Sequence, residues 1–317
     1  MRGLFLDIDT VDRGDLDLAG LRATLSEWTF RQTGNGKAGE QPTQADILVS
    51  NKVVVDADTI NSAANLKLIC IAATGTNNVD LAAAAKRGVP VCNVRNYATA
   101  SVAEHVFSLM LCLTRSLPQY LKAVEHGGWQ ASNTFCMLDY PVMELAGRTL
   151  GIIGCGELGS AVAAMGRAFG MQVLMAERRG APARQGRTPF SEVLAQADII
   201  SLHCPLNADT QNLIGAAELR RMKPDALLMN TARGGIVNES ELADALLAGE
   251  IGGAALDVLA EEPPRSGNRL LSLPLPNLII TPHIAWASST SRQRLVDEVA
   301  ANIRAFLDGR PRNVVGN

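Results

Sequence analysis

Short apolar runs alternate with amphipathic or Ala-rich stretches along nearly the whole chain. The runs at residues 3–8, 45–49, 66–73 and 89–93 read as strands, the second following a polar, Gly-rich stretch. Residues 15–27, 57–65 and 78–87 read as helices, the last ended by Gly88-Val89-Pro90. Residues 100–115 form a long amphipathic helix stopped by Leu117-Pro118. Gly127-Gly128-Trp129 then opens an irregular segment reaching about Pro141. A second series follows, with strands at 149–153, 173–176, 198–203, 226–230, 253–256 and 278–281. Helices at 160–169, 189–195, 216–221 and 239–248 fit between them. A last helix, 289–307, is closed by Gly309 and Pro311. Strand–helix alternation of this kind predicts an α/β protein whose parallel sheets carry helices on both faces.

The second series opens on the most informative segment. Residues 149–153 run into Gly154-Cys155-Gly156-Glu157-Leu158-Gly159 and then a helix. A Gly-x-Gly-x-x-Gly turn between strand and helix suits a dinucleotide: Gly154 for the tight turn, Gly156 for close approach of a pyrophosphate, Gly159 for helix–strand packing. The helix N-terminus adds unpaired N–H groups and a positive dipole end. An acidic residue is expected about 20 residues on, at the end of the second strand, to bind the adenosine ribose. Glu177 fills that position, but Arg178 and Arg179 follow it, and arginines there can hold a 2′-phosphate. NAD is therefore the expected cofactor, with NADP left open. Residues 180–186 read as a surface loop.

Composition narrows the picture. A chain of 317 residues suits two domains, and 47% hydrophobic with 19% charged residues describes a globular protein. A net charge of −3 gives no basic field for nucleic acid or an anionic membrane. No apolar run approaches the roughly 18 residues of a membrane span. The opening Met1-Arg2-Gly3-Leu4-Phe5-Leu6-Asp7 reads as a strand that becomes charged too soon for a signal peptide. The six cysteines are scattered without zinc spacing and look like reduced thiols. A cytoplasmic location is expected, and no metal.

Three polar groups stand just past strand ends of the second series: Arg233 in Thr231-Ala232-Arg233-Gly234-Gly235, the acids Asp257, Glu261 and Glu262, and His283 in Thr281-Pro282-His283. Each alone is more simply a surface or capping residue. An arginine, a carboxylate and a histidine converging on the ligand-binding edge of one sheet make a candidate site. Two other motifs carry less. Asp7-Ile8-Asp9-Thr10 has the form of a phosphatase signature, but nothing else in the chain completes it. His203 and Cys204 have no third metal ligand nearby and suit a cofactor wall better.

Taken in order, several motifs resemble the D-isomer-specific 2-hydroxyacid dehydrogenases: residues 73–80, Ala103-Glu104-His105, 154–159, 203–206, 231–237, 257–264 and 281–286. Residues 96–104, 135–139 and 283–286 look most like the glycerate dehydrogenase (hydroxypyruvate reductase) branch. The resemblance implies reversible, NAD(P)H-dependent reduction of a small 2-oxo acid to the D-2-hydroxy acid. Hydroxypyruvate is the best match, with glyoxylate or another 2-oxo acid as alternatives. A dinucleotide-sensing corepressor-like binding protein is the alternative of another class.

The resemblance also implies two Rossmann-like domains. A flavodoxin-like substrate domain (1–99 plus 288–317) is interrupted by a dinucleotide-binding domain (100–287). Arg233 would hold the substrate carboxylate and polarise the carbonyl, His283 would be the general acid, and Glu262 would pair with it. Cofactor contacts would come from Thr74, Gly154, Gly156, Glu157, Leu158, Gly159, Glu177, Arg178, Cys204, Thr231, Ala232, Arg233, Asp257, His283 and Ala285, with Asp257 on the carboxamide side. Asn51, Lys52, Thr74, Gly75 and Thr76 would join Arg233 and His283 at the substrate. Partners would be the small acid and a second copy of the chain, through the cofactor domain and the stretch near residues 129–140.

Overall fold

The computed structural model describes residues 1–32 and 44–316; most of the Gly-rich stretch before Ala45 lies outside them. The chain divides into two compact units, one made of Met1–Ala98 with Trp286–Asn317, the other of Thr99–Ala285.

The first unit opens with β1 (Arg2–Phe5), α1 (Ala19–Arg22), β2 (Glu27–Phe30), β3 (Ile47–Ser50), α2 (Ala57–Ser62), β4 (Leu68–Ile71), α3 (Leu81–Lys86) and β5 (Val91–Cys92). Asp56 and Asp80 cap α2 and α3, each accepting a backbone N–H with its side chain. The helix expected over 15–27 is reduced to one turn. Asp12 draws the amides of Gly14, Asp15 and Leu16 onto its carboxylate, turning the chain before a helix can start. Past α1, Trp28 and Phe30 stack on each other and favour a strand, β2, which periodicity misses.

The second unit contains α4 (Thr99–Thr114), α5 (Leu117–Glu125), β6 (Thr149–Ile153), α6 (Glu157–Ala168), β7 (Gln172–Met175), α7 (Phe190–Gln196), β8 (Ile199–Leu202), α8 (Ala216–Leu219), β9 (Leu227–Asn230), α9 (Glu239–Ala248), β10 (Gly253–Leu256) and β11 (Leu278–Ile280). Pro118 does not end the helical region as expected. It sits in the first turn of α5, where its missing N–H costs nothing. The strands order as β11-β10-β9-β8-β6-β7, all parallel. Both faces are covered. Val106, Phe107 and Met110 of α4 and Val162 of α6 bury Leu150, Ile152, Leu227 and Met229. Val193 of α7, Leu219 of α8 and Leu242 of α9 bury Ile200, Leu202, Leu228 and Leu256 on the other side. Each fully buried aliphatic chain contributes on the order of 1.5–3 kcal/mol.

The chain then returns to the first unit as α10 (Ser289–Leu307) and β12 (Val314–Val315). That sheet orders as β12-β5-β4-β3-β1-β2, with only β12 antiparallel. Its parallel strands therefore follow the flavodoxin-like order, and both sheets are doubly wound. Between the two neighbours of β6 the strand order reverses, which places a ligand crevice at the carboxyl end of β6.

Candidate active site

At that crevice lies the glycine turn. Gly154 follows β6 with φ +95°, and a Cβ there would land on the His203–Cys204 backbone. A Cβ at Gly159 would land on the Gly154 carbonyl, so the first turn of α6 closes onto the strand only with glycine. Gly156 differs: a Cβ there meets nothing within 4 Å. It is the N-cap of α6 and offers no side-chain cap, so the helix's first amides face outward with its positive dipole end. Glu157 accepts a hydrogen bond from Thr99 Oγ1, and Leu158 is half-buried. At the same sheet edge, two buried polar atoms, His203 Nδ1 and Thr231 Oγ1, have no hydrogen-bond partner among the described residues. Thr231 and Ala232 follow β9 and Cys204 follows β8, all at carboxyl ends. Open space above Gly156, uncapped amides and orphaned polar atoms fit a dinucleotide laid along this edge.

Glu177 lies just past β7, where a ribose-binding acid is expected, but its carboxylate is already engaged. Arg184 forks onto it, Nε to Oε2 at 2.6 Å and Nη2 to Oε1 at 2.8 Å. The Arg178 amide adds a bond to Oε1 at 2.9 Å, and the Arg184 amide a longer one to Oε2 at 3.3 Å. The Arg184 fork, helped by these amides, holds the Glu177 carboxyl down at about 2. The side chain is 2% exposed while that of Arg184 is 69% exposed. Glu177 is therefore covered by its own loop.

Further along the edge, Arg233, Glu262 and His283 sit on three successive loops. Asn230 staples the first, its amide group bonding the Arg233 carbonyl at 2.9 Å and the Ala232 N–H at 3.1 Å. A Cβ at Gly234 would strike the Leu259–Ala260 backbone, so glycine brings this loop against the one bearing Glu262. Arg233 is exposed, and its Nη1 donates to the Ala232 carbonyl at 2.7 Å. Glu262 takes the Leu259 N–H on Oε1 at 2.9 Å and meets His283 Nδ1 with Oε2 at 2.7 Å. His283 has φ +54°, a left-handed conformation uncommon for a residue with a side chain.

Asp257 explains how that conformation is held. Its carbonyl accepts the His283 N–H at 2.8 Å, and its carboxylate accepts the Ile284 and Ala285 amides at 2.9 and 2.8 Å. Thr281 Oγ1 donates to Oδ1 at 2.6 Å, and His105 Nε2 stands 3.4 Å from the same oxygen. Burial works against the Asp257 charge, yet the bonds from His105, Thr281 and the two amides outweigh it and hold the carboxyl below the usual range. Asp257 is 1% exposed. Asp257 thus clamps the 283–285 turn from inside the protein, with most of its bonds on Oδ1 and the Ala285 amide on Oδ2.

In the first unit, Asp7 gathers the amides of Asn51, Lys52 and Val53 at 2.8, 2.6 and 3.0 Å. Burial pushes its carboxyl up against the pull of those amides. Thr74 donates to the Val94 carbonyl at 2.9 Å, and Asn93 bonds the Thr74 carbonyl at 2.7 Å, which fixes the Thr74-Gly75-Thr76 loop. Among the described residues no His, Cys, Asp or Glu group could hold a metal ion, and no helix is long and apolar enough to cross a membrane. Sequence reasoning misses Arg184, His105 as a partner of Asp257, and the stapling role of Asn230. None has a periodic or spacing signal, though Ala103-Glu104-His105 is visible as a motif.

Residues 107–285 match the NAD binding domain of the D-isomer specific 2-hydroxyacid dehydrogenases. The chain is 49% identical over 308 residues to a glycerate dehydrogenase of Methylorubrum extorquens, covering 95% of this chain and 97% of that one. It is 35% identical over 322 residues to a hydroxypyruvate reductase of Blautia hydrogenotrophica, covering 99% of each. A crystal structure of a Thermus thermophilus protein superposes over 100% of both chains with a TM-score of 0.85 at 33% identity. This chain belongs to the D-isomer specific 2-hydroxyacid dehydrogenase family.

Proposed function

We propose that the protein reduces hydroxypyruvate to D-glycerate, reversibly, with NAD(H). The observation that carries the reading is the 2.7 Å His283–Glu262 pair, presented beside the Arg233 loop at the ligand-binding edge of the dinucleotide sheet. The similarity to a glycerate dehydrogenase and a hydroxypyruvate reductase supports the choice of substrate.

A dinucleotide held with its pyrophosphate on the glycine turn would supply, from its nicotinamide, the hydride that C2 of the substrate accepts. Arg233 forks onto the carboxylate and polarises the C2 carbonyl. His283 Nδ1 is committed to Glu262, which fixes the ring's orientation, and Nε2 delivers the proton to the C2 oxygen. In the reverse direction Nε2 takes that proton from the hydroxyl. Asp257 and His105 hold the turn that aims the ring. Gly154, Gly156, Glu157, Leu158, Gly159, Cys204, Thr231, Ala232 and Ala285 are assigned to the cofactor. The first unit is assigned to substrate binding, through Asn51, Lys52, Thr74, Gly75 and Thr76.

The chain is also proposed to form a cytoplasmic homodimer through the second unit. Leu121, Trp129, Phe135 and Leu138, on α5 and the segment after it, expose 62%, 55%, 94% and 81% of their surface. Sedimentation equilibrium is expected to give a dimer, and the double variant Phe135→Ser, Leu138→Ser a monomer; a monomeric wild type contradicts this.

Initial rates for hydroxypyruvate, glyoxylate and pyruvate with NADH test the substrate. Hydroxypyruvate is expected to have the highest kcat/KM. A higher value for another acid overturns the substrate, and no turnover with any of them overturns the reaction and leaves a dinucleotide-sensing binding role.

A further inference from the structure

The Glu177 region departs from what an NAD-selective site needs. A bare carboxylate at the end of the second strand accepts bonds from the ribose hydroxyls and repels a 2′-phosphate. Here neither property is intact. Arg184 spans both oxygens of Glu177, and the amides of Arg178 and Arg184 add one bond to each, so both oxygens already have two donors. The carboxylate is also neutralised by a paired guanidinium. Arg184 covers Glu177 from the solvent side, since the carboxylate is almost fully covered while the arginine is mostly exposed.

Three further arginines surround the pair. Arg178 is exposed, and among the described residues its guanidinium has no acidic partner. Arg187 lies against Cys155, the residue between the first two glycines of the turn. Arg179 is held by Glu218 at 2.9 Å and so contributes less charge. The loop after β7 thus carries more positive than negative charge: Arg178, Arg184 and Arg187 stand on it with Glu177.

We propose that Arg184 is a specificity-determining residue that admits NADPH alongside NADH, by masking Glu177 and offering its guanidinium to the 2′-phosphate together with Arg178. With the unphosphorylated cofactor Arg184 stays on Glu177, and the ribose meets a neutral pair. With NADPH the phosphate oxygens share the guanidinium, taking Nη1 N–H groups that the fork onto Glu177 leaves out, so that the carboxylate stays covered. The inference rests on a dinucleotide binding at the glycine turn and adds how its two forms are told apart.

Titrations of the whole protein with NADH and with NADPH, read by fluorescence or calorimetry without substrate, test it. The wild type is expected to give an NADPH-to-NADH Kd ratio below ten, and a larger ratio overturns the proposal. Arg184→Ala is expected to raise that ratio at least fivefold, because Glu177 is unmasked and the phosphate loses the guanidinium; a smaller rise overturns it. Glu177→Gln, which frees the arginine without creating a charge, is expected to lower the ratio below the wild-type value, and an increase overturns it. Binding of NADPH is also expected to weaken more steeply with salt than that of NADH, since more charge is neutralised; equal salt dependence counts against the proposal. NADH binding with no NADPH binding defeats this inference alone, whereas failure of both cofactors to bind defeats the cofactor reading as well.

Discussion

The two units are built alike and end their first strands in opposite ways. Each has a doubly wound sheet in which the first strand pairs, in parallel, with the second on one side and the third on the other. In the second unit β6 runs into a glycine turn whose backbone folds tightly and leaves space above Gly156. In the first unit β1 runs toward Asp7, a buried carboxylate just past the strand end that ties down residues 51–53. One strand end offers amides to an anion; the other has spent its neighbours' amides on its own carboxylate. The sheet sets where a ligand can bind, and the residues of one turn decide whether it is a phosphate-bearing cofactor.

Changing either strand end breaks that comparison. Gly154→Val has the largest expected effect: its Cβ meets the His203–Cys204 backbone and its φ is foreign to a β-branched residue. NADH titration is expected to show no measurable binding, and wild-type affinity would mean that the turn does not carry the cofactor. Asp7→Ala leaves three amides without their acceptor in a buried place, and is expected to cost about 2–3 kcal/mol in urea unfolding. NADH affinity in that variant is expected to stay within about threefold of the wild type, since the cofactor is assigned to the other unit; Asp7→Asn, with one acceptor oxygen left, costs about half as much. An Asp7→Ala protein as stable as wild type would show that the three bonds contribute nothing net.

How much of this is legible in the sequence follows the same division. The glycine turn is readable because strand, glycine spacing and helix are contiguous, and each glycine has a separate steric reason. The inner strands of the second unit, β6, β8, β9 and β10, are readable because burial on both faces makes them continuous apolar runs. The edge strand β2 is not, since its residues alternate exposed and half-buried and its aromatic pair gives the only hint. The helix α5 escapes notice because Pro118 reads as a stop when it is a first-turn residue. Within the site, Arg233, Glu262 and His283 stand out as strand-end polar residues. Their supports do not: the His105–Asp257 contact spans residues far apart in sequence, and Arg184 reaches back to Glu177 across a loop with no pattern. The position of Glu177 follows from the chain, but which charge covers it depends on that loop.

The central claim is that His283, oriented by Glu262, delivers the proton while the glycine turn independently holds the cofactor. Single-turnover mixing of the NADH complex of His283→Ala with hydroxypyruvate, followed by loss of nicotinamide absorbance, tests it most directly. NADH is expected to bind that variant with an affinity close to wild type, while the rate of NADH oxidation falls by about 10²–10⁴-fold. A single-turnover rate equal to that of the wild type would contradict the assignment.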